Sequence, residues 1–412
     1  MQDAPILVLI PAPLASLDPT GAVRSQDSNP KILGLGLIRR AVLAARRAGY
    51  GQVFLLSRDG HETAGVVAIT DWSRLAATFG SSETAPMLIA PTTILAETDW
   101  LERLSKTQIE PNGWAAIPNR IIMLAAASAP DARAALDGGG GAYDLRAVES
   151  RLNRRFGSPA AIPVGIDPMV VDKPTDIPIA ERRLLRALVK DTDGFMARHV
   201  ERPISLQISR RLASTAITPN QMSMISSVIG VCAGPFFLSP LSSWQTIGAL
   251  LFLAHSILDG CDGELARLKF LESRWGGVLD FWGDNVVHSV IFACMAAGWS
   301  LSAGVAWPLL LGLAAVLGTL GSASFVYWRL MRIKLDSGPL FTSVARAPDS
   351  RLARLLDSAS RRDFIYLVLV LALFGKSNWF LLLASVGAPI YFVLLIFLAA
   401  REARGSRSPP SG

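Results

Sequence analysis

The chain has 412 residues, a formal net charge of +7 at pH 7 and a hydrophobic fraction of 51%, with 18% of its residues charged. So many apolar residues exclude one ordinary soluble domain, and so many charged residues exclude a chain that lies wholly within a membrane. Up to about residue 200 the composition is mixed, whereas long apolar stretches alternate with short basic segments from about 220 to 400. We therefore predict a soluble domain followed by a membrane domain. Because the basic residues cluster beside the apolar stretches, lipid headgroups are favoured over nucleic acid as their partners.

The first half of the chain has the pattern of an α/β domain with a mostly parallel sheet. Short apolar runs predict strands at 4–10, 53–57, 64–69 and 86–90. A helix is predicted over 38–51, with Gly49 and Gly51 at its end. The first run is too short to span a membrane and has no basic flank, so we expect a strand and not a signal peptide. Four glycines at 138–141 lack the Lys-Ser/Thr of a phosphate loop and predict a turn.

The segment from Asp176 to Arg211 is predicted to be a basic amphipathic helix that lies in the membrane interface. A solvated linker helix is the alternative interpretation. The predicted domains are then 1–175, the linker 176–215, a membrane domain over 216–402 and a disordered tail over 403–412.

Six apolar stretches are long enough, or nearly so, to cross the roughly 30 Å of a bilayer core. They lie near 220–239, 244–264, 277–299, 303–328, 362–381 and 382–400. The loops on alternate sides are basic, and those near 240, 301 and 378 hold only Lys376 between them. By the positive-inside rule, both termini face the cytoplasm, so we expect a multi-pass protein of the inner membrane.

Four aspartates lie at the predicted cytoplasmic ends of the second and third spans, within residues 259–284. Helical spacing places Asp259 and Asp262 on one face of the second helix, and Asp280 and Asp284 on one face of the third. Two such helices facing each other bring the carboxylates together, and their repulsion calls for cations. Oxygen ligands of this kind suit Mg²⁺ or Mn²⁺. Ordinary interfacial aspartates would not need this matched spacing.

Other residues of the same faces have complementary properties. Gly263, Ala266 and Gly276 lack bulk, so a backbone or a nucleotide can approach closely. Arg267 adds a forked cation suited to a diphosphate or to an aspartate.

Two histidines lie one helical turn from the aspartates, His255 before Asp259 and His288 after Asp284. Each either orients a carboxylate or is a buried polar residue of the helix bundle, and the sequence leaves both interpretations open.

The pattern Asp259-x-x-Asp262-Gly263-x-x-Ala266-Arg267, eight residues, Gly276-x-x-x-Asp280-x-x-x-Asp284 resembles the signature of the CDP-alcohol phosphotransferases. The resemblance covers about 190–400 and includes TPNQ at 218–221, which is similar to the start of the family's first spanning helix.

The resemblance implies a six-helix membrane domain, a homodimer and a cytoplasmic active site. It implies transfer of a phospho-alcohol from a CDP-alcohol donor to a hydroxyl of an alcohol or alcohol-phosphate acceptor, with release of CMP. The implied metal ligands are Asp259, Asp262 and Asp280, together with Asp284, which also acts as the general base, for two divalent ions. Gly263, Ala266, Arg267 and Gly276 are implied to contact the CDP moiety.

Residues 30–57 resemble part of the sugar-phosphate nucleotidyltransferases, and the fusion resembles the inositol-phosphate cytidylyltransferase and di-inositol-phosphate synthase architecture. The Gly-rich nucleotide loop should fall at about 11–24, where only Gly21 and Arg24 suit phosphate. Pro91 or its neighbour stands where a metal-binding aspartate is expected. We therefore expect a nucleotidyltransferase-like domain without cytidylyl transfer, which serves as a scaffold, a dimer contact or a cap.

Two alternatives to this function stay open. The N-terminal domain is active and uses Asp18 or Asp99, so that a bifunctional enzyme makes its own CDP-alcohol. Alternatively, the chain is a non-catalytic membrane protein or a transporter, since intramembrane acids also serve ion relays.

Overall fold

The structure, a computed structural model, describes residues 4–12, 14–17, 23–26, 29–56, 65–69, 87–107, 109, 113–124, 145–162, 167–189, 194–331 and 364–405. It divides into two compact units, Met1–Arg186 and Ala187–Gly412. Each unit is described by itself.

The first unit is an α/β unit. Its strands are β1 Ile6–Ile10, β2 Leu14–Leu17, β3 Val23–Gln26, β4 Lys31–Ile32, β5 Leu35–Gly36, β6 Gln52–Leu56, β7 Val67–Ile69, β8 Met87–Pro91, β9 Ile94–Leu95, β10 Trp114–Ile117, β11 Ile121–Leu124, β12 Ala160–Ala161 and β13 Met169–Val170. Its helices are α1 Leu37–Arg47, α2 Thr98–Ser105, α3 Leu145–Phe156 and α4 Ile177–Arg186.

Seven strands form the main sheet, in the order β12-β10-β11-β8-β1-β6-β7. β1 runs parallel to β6 and β8, β6 to β7 and β10 to β12, whereas β11 is antiparallel to both of its neighbours. The predicted mostly parallel sheet is therefore confirmed. β1 and β8 are buried along their whole length, as expected for central strands covered on both faces.

Helix α1 is delimited by a side-chain cap and a left-handed glycine. The Ile38 amide donates to Asn29 Oδ1 over 3.0 Å, and Gly36 leaves room for that cap, because a Cβ there would lie 2.8 Å from the same oxygen. At the other end Gly49 has a φ of +88°, which glycine adopts without strain. This part of the sequence therefore ends the helix as predicted.

The stretch where a nucleotide loop was expected contains an antiparallel pair, β2 and β3, with Leu14 opposite Gln26. Arg24 lies in β3, and Asp99 lies in the first turn of α2. Asp18, Gly21 and the four glycines at 138–141 lie outside the described residues. Pro91 ends β8 opposite Ile10 of β1.

The second unit is helical. Its helices are α5 Arg202–Leu212, α6 Pro219–Ala233, α7 Ser242–Lys269, α8 Arg274–Ala303, α9 Trp307–Val326, α10 Phe364–Leu373 and α11 Ser377–Gly405. A π-helical turn, Ala197–Glu201, precedes α5. Part of the tail predicted from 403 onwards is therefore helical, and 406–412 lie outside the described residues.

The segment predicted as one amphipathic helix from Asp176 to Arg211 is instead two helices, α4 and α5. They belong to different units, because the division falls after Arg186. The prediction of a single helix is wrong, since the basic and apolar periodicity continues through residues 187–189, where the chain leaves the helix.

In the part of the chain that the structure describes, four helical segments are long and apolar enough to cross a membrane, namely Pro219–Leu238, Arg274–Ala303, Trp307–Arg329 and Ser377–Arg401. They match four of the six predicted spans. The predicted second span falls in α7, a helix of 28 residues. This helix is less apolar than the other four because it contains polar residues, among them the buried Gln245, His255 and Asp259. The fifth and sixth spans were expected to meet at 376–379, and the chain does turn there, because Gly375 has a φ of +64° and α11 begins at Ser377. The bounds predicted at 381 and 382 fall inside α11 instead.

Glycines bring α6 close to its neighbours. A Cβ on Gly230 would lie 2.6 Å from Val287 Cγ1 and 2.9 Å from His255 Cγ, and one on Gly283 would lie 2.5 Å from Ser227 Oγ. Such small residues let helices of a membrane protein approach closely. They fix α6 against α7 and α8, the two helices that carry the aspartates.

Candidate active site

The aspartates of the motif lie where the end of α7 meets the beginning of α8. Asp259, Asp280 and Asp284 each offer a carboxylate oxygen, and these three oxygens lie within 4.8 Å of one another. Asp259 is buried and the other two are half-buried. We call these three residues the carboxylate trio. Its geometry follows from regular helices, because spacings of three and four residues keep side chains on one face.

Asp262 departs from the predicted cluster of four and is not a member of the trio. Its Oδ2 accepts a hydrogen bond from the Ser223 hydroxyl of α6. The Asp262 carboxylate is only 7% exposed, and a buried polar group needs a hydrogen-bond partner. The hydroxyl on the neighbouring helix is such a partner.

His255 faces the trio from α7. Its Nδ1 lies 2.9 Å from the Ser226 carbonyl oxygen, and because a carbonyl only accepts, Nδ1 carries the proton in this hydrogen bond. Nε2 lies 3.4 Å from Asp284 Oδ1. The histidine is thus held on one side, and its other ring nitrogen lies near the predicted base, to which it can donate only when that nitrogen also carries a proton.

His288 has different surroundings. Its ring lies 5.5 Å, centroid to centroid, from Phe252 and from Phe364. Of the two histidines left open by the sequence, His255 lies within a short distance of a motif aspartate.

The residues expected to contact CDP differ in their surroundings. At Gly263 a Cβ would meet nothing within 4 Å, so the backbone there is open to a ligand. Ala266 and Arg267 follow on the same helix, buried and half-buried respectively. Gly276 instead adjoins protein atoms, because a Cβ there would lie 2.9 Å from Asn220 Oδ1.

The turn between the two motif helices is capped at both sides. Phe270 closes α7 in the left-handed conformation, with φ +57°, and the Gly276 amide donates to Ser273 Oγ over 3.0 Å at the beginning of α8. The cap fixes the first turn of α8, which precedes Asp280 by one turn.

Two features of this site were missed from the sequence. Ser223 was not predicted, and Glu264, whose side chain is fully buried, binds Arg202 of α5 at 2.7 Å. Ser205 also donates to the same Glu264 oxygen, over 2.7 Å. The sequence did predict the beginning of α6, from Thr218 and Pro219, which cap and begin the helix. It did not indicate which serine of α6 reaches an aspartate.

The donor set fits a hard divalent cation. Carboxylate oxygens are the ligands that Mg²⁺ and Mn²⁺ prefer, and three carboxylates within 4.8 Å repel one another unless a positive charge lies between them. Glu264 is already neutralised by Arg202 and belongs to a separate contact.

Residues 216–346 match the family model of the CDP-alcohol phosphatidyltransferases. The chain is 40% identical over 127 residues to the bifunctional IPC transferase and DIPP synthase of Thermococcus kodakarensis, covering 31% of this chain and 28% of that protein. It is 25% identical over 204 residues to the archaetidylinositol phosphate synthase of Pyrococcus horikoshii, covering 49% of this chain and 94% of that protein.

The chain spans only about a third of the length of the first bifunctional relatives, from 28% to 41%. Among solved structures it is similar to the Mycobacterium tuberculosis phosphatidylinositol phosphate synthase with CDP-DAG bound, at 19% identity and a TM-score of 0.33, over 47% of this chain and 94% of that one. A TM-score this low carries no argument about the site.

Proposed function

We propose that the chain is an integral membrane CDP-alcohol phosphotransferase of phospholipid or polar-lipid biosynthesis. It transfers a phospho-alcohol from a donor of the CDP-diacylglycerol or CDP-inositol type to a hydroxyl acceptor and releases CMP. The observation that carries this proposal is the carboxylate trio, which lies within 4.8 Å in the stretch that matches the family model.

The metal ligands of this proposal are Asp259, Asp262, Asp280 and Asp284, which hold two Mg²⁺ or Mn²⁺ ions. Bound ions supply charge stabilisation for the diphosphate and the leaving CMP. Arg267 contributes a fixed positive charge near the phosphates, and the open backbone at Gly263, with Ala266, allows the nucleotide close approach. Gly276 contributes by keeping the first turn of α8 close to Asn220.

Asp284 is the proposed general base. The acceptor oxygen attacks the β-phosphorus, its proton passes to the Asp284 carboxylate, and the bond between that phosphorus and the CMP oxygen breaks. His255, 3.4 Å from Asp284 Oδ1, orients this carboxylate. Because a carboxylate is a weak base, positioning of the acceptor contributes more than proton transfer alone.

The membrane part of the proposal has six spanning helices, namely α6 to α11. Four satisfy the length and composition of a span, and α7 and α10 complete the set. The basic loops assign both termini and the active site to the cytoplasmic side of the inner membrane. A homodimer is the proposed assembly, with membrane lipids around it.

The α/β unit is proposed to be nucleotidyltransferase-like and inactive, a scaffold, a dimer contact or a cap. A second candidate function is that it makes the CDP-alcohol, since several relatives are named bifunctional. The β2–β3 pair in the expected nucleotide loop and Pro91 at the end of β8 favour the inactive form.

The test uses the full chain, purified and reconstituted in nanodiscs with Mg²⁺. CMP release is measured with CDP-diacylglycerol and with CDP-inositol as donors, each with inositol phosphate and glycerol phosphate as acceptors, and donor without acceptor is the control. Acceptor-dependent CMP release is expected with one donor class, and its absence in every combination contradicts the proposal. Pyrophosphate release from CTP and an alcohol phosphate would support the bifunctional alternative.

A further inference from the structure

Ser223 lies in the first turns of α6, where the helix is held rigidly. Thr218 caps it with reciprocal bonds to Gln221, and Pro219 occupies its first position. Further along the same helix, Gly230 lies against Val287 and His255, and Ser227 lies against Gly283. The backbone that carries Ser223 is therefore fixed against both motif helices.

The Ser223 hydroxyl is the contact between this fixed helix and Asp262. It donates to Asp262 Oδ2, and both residues are buried, with exposures of 2% and 7%. The hydroxyl has a single proton and one other acceptor, the Pro219 carbonyl of its own helix at 3.3 Å. A charged acceptor forms the stronger hydrogen bond, so the proton goes to the carboxylate.

We propose that Ser223 is a positioning residue for Asp262. By engaging Oδ2 from a rigid helix it fixes the rotamer of a carboxylate that the proposed function makes a metal ligand. This inference rests on the proposed function, in which Asp262 is one of the metal ligands. It adds a residue outside the motif of the two facing helices.

The argument for an effect on metal affinity is one of preorganisation. A carboxylate that is 7% exposed has little water to replace a lost donor. Without the hydroxyl, Asp262 can rotate, and part of the binding free energy is then spent on ordering it. Loss of a hydrogen-bonding partner of a metal ligand typically weakens metal affinity by about 10 to 100-fold.

The test is a titration of the full chain in nanodiscs with Mn²⁺, followed by the electron paramagnetic resonance of free Mn²⁺. Ser223→Ala is expected to raise the Mn²⁺ Kd by roughly tenfold, and Ser223→Thr, which keeps the hydroxyl, is expected to restore most of the affinity. The matched control is Ser385→Ala, another buried serine, whose hydroxyl donates to the Leu382 carbonyl of its own helix over 2.8 Å. It should bind Mn²⁺ like the wild type.

Thermal unfolding of the same variants separates positioning from a purely structural role. If Ser223→Ala lowers the Tm but leaves the Mn²⁺ Kd unchanged, the inference is overturned. If Ser223→Ala does not fold, Ser223→Cys, which keeps the size and a weaker donor, replaces it, and an unchanged Kd in that variant counts equally against the inference.

Failure of the proposed function gives a different result. A wild type that binds Mn²⁺ but releases no CMP from any donor contradicts the phosphotransferase, and the Mn²⁺ affinities of the variants still decide the role of Ser223. Normal CMP release together with equal Mn²⁺ affinities overturns the inference alone.

Discussion

The two units bury polar side chains in different places. In the described part of the α/β unit the buried polar residues are Arg40, Thr92 and Thr93. In the helical unit they are concentrated on α5, α6 and the motif half of α7, namely Ser205, Ser209, Ser223, Ser226, His255, Ser256, Asp259, Asp262 and Glu264. Burying such groups is costly unless each has a partner, so a concentration of them indicates a function.

The surroundings of these groups differ as well. In the α/β unit the Thr92 hydroxyl accepts from the Ala12 amide over 3.0 Å, so it completes the backbone bonding at the ends of two central strands. In the helical unit the buried groups bind one another across helices, as Ser223 binds Asp262 and Arg202 binds Glu264. This difference in buried polar groups supports the proposal that the reaction takes place in the helical unit. The following experiments test that proposal.

The largest expected effect is that of metal removal. EDTA should abolish CMP release, and Mg²⁺ or Mn²⁺ should restore it, because the trio carboxylates lie within 4.8 Å and repel both one another and the diphosphate of the donor. Initial rates in nanodiscs, before and after readdition, measure it. Full CMP release in excess chelator would show that the trio is not a metal site.

Next in size is the separation of roles between Asp284 and Asp262. Asp284→Asn cannot take the acceptor proton, so kcat should fall by roughly 10² to 10⁴-fold, with a smaller loss of donor affinity than Asp262→Asn causes. Asp262→Asn should weaken donor binding, because a neutral ligand attracts the cations less. Initial rates and calorimetric titration of a non-reactive CDP-alcohol with Mg²⁺ present measure both.

An equal loss of donor affinity in the two variants would contradict this separation. Asp284 would then be chiefly a metal ligand, and the base would have to be sought elsewhere. His288, one turn further along α8, was the next candidate from the sequence, whereas His255 is the histidine that lies 3.4 Å from Asp284.

A smaller effect, on stability, is expected at the buried ion pair of α5 and α7. Arg202→Met leaves the fully buried Glu264 carboxylate without its cation, which typically costs about 3 to 5 kcal/mol. The double variant Arg202→Met with Glu264→Leu should recover most of that loss, since no buried charge is left unpaired. Thermal unfolding in detergent measures both, with the exposed Arg211→Met on the same helix as the matched control.

If the single and double variants unfold at the same temperature, the pair is not coupled. The buried charged groups of the helical unit would then not depend on one another across helices. That would remove one of the differences between the helical unit and the α/β unit.

Regular helices made the motif predictable. Spacings of three and four residues set the direction of each aspartate along α7 and α8, so the facing carboxylates could be predicted without knowledge of the fold. The TPNQ stretch likewise predicted the beginning of α6, because Thr218, Pro219 and Gln221 form a capping box with proline at the first position.

The contacts between helices could not be predicted in the same way. Asp262 and Ser223 are 39 residues apart, and Glu264 and Arg202 are 62 residues apart. The close approach at Gly230 and Gly283 helps to bring α6 to its place, and no local pattern gives the rotation of one helix against another. The bounds of the spans on either side of Gly375 were misplaced for a related reason, since the apolar residues on both sides of the turn give one continuous hydropathy signal.

The smallest effect is expected in the α/β unit, at Arg40 of α1, which is 2% exposed and donates to the Ile32 carbonyl over 3.3 Å. Burial lowers the pKa of its guanidinium to about 10, and the nearby Glu97 carboxylate opposes that shift. Because the folded-state pKa lies below the unfolded value, the charge opposes folding at neutral pH, and this opposition is relieved only above about pH 10. An apolar side chain of similar size has no charge that must be taken out of water.

Arg40→Met should therefore leave the hydrogen-exchange protection of α1 close to that of the wild type, or increase it, and should leave CMP release unchanged. Exchange followed by mass spectrometry of peptides over Leu37–Arg47 measures the first, and initial rates measure the second. Reduced protection together with normal CMP release would mean that the guanidinium stabilises the fold more than its burial costs. Normal protection with reduced CMP release would show that the α/β unit contributes to the reaction. A change confined to the interior of that unit would then affect the reaction that we propose for the helical unit.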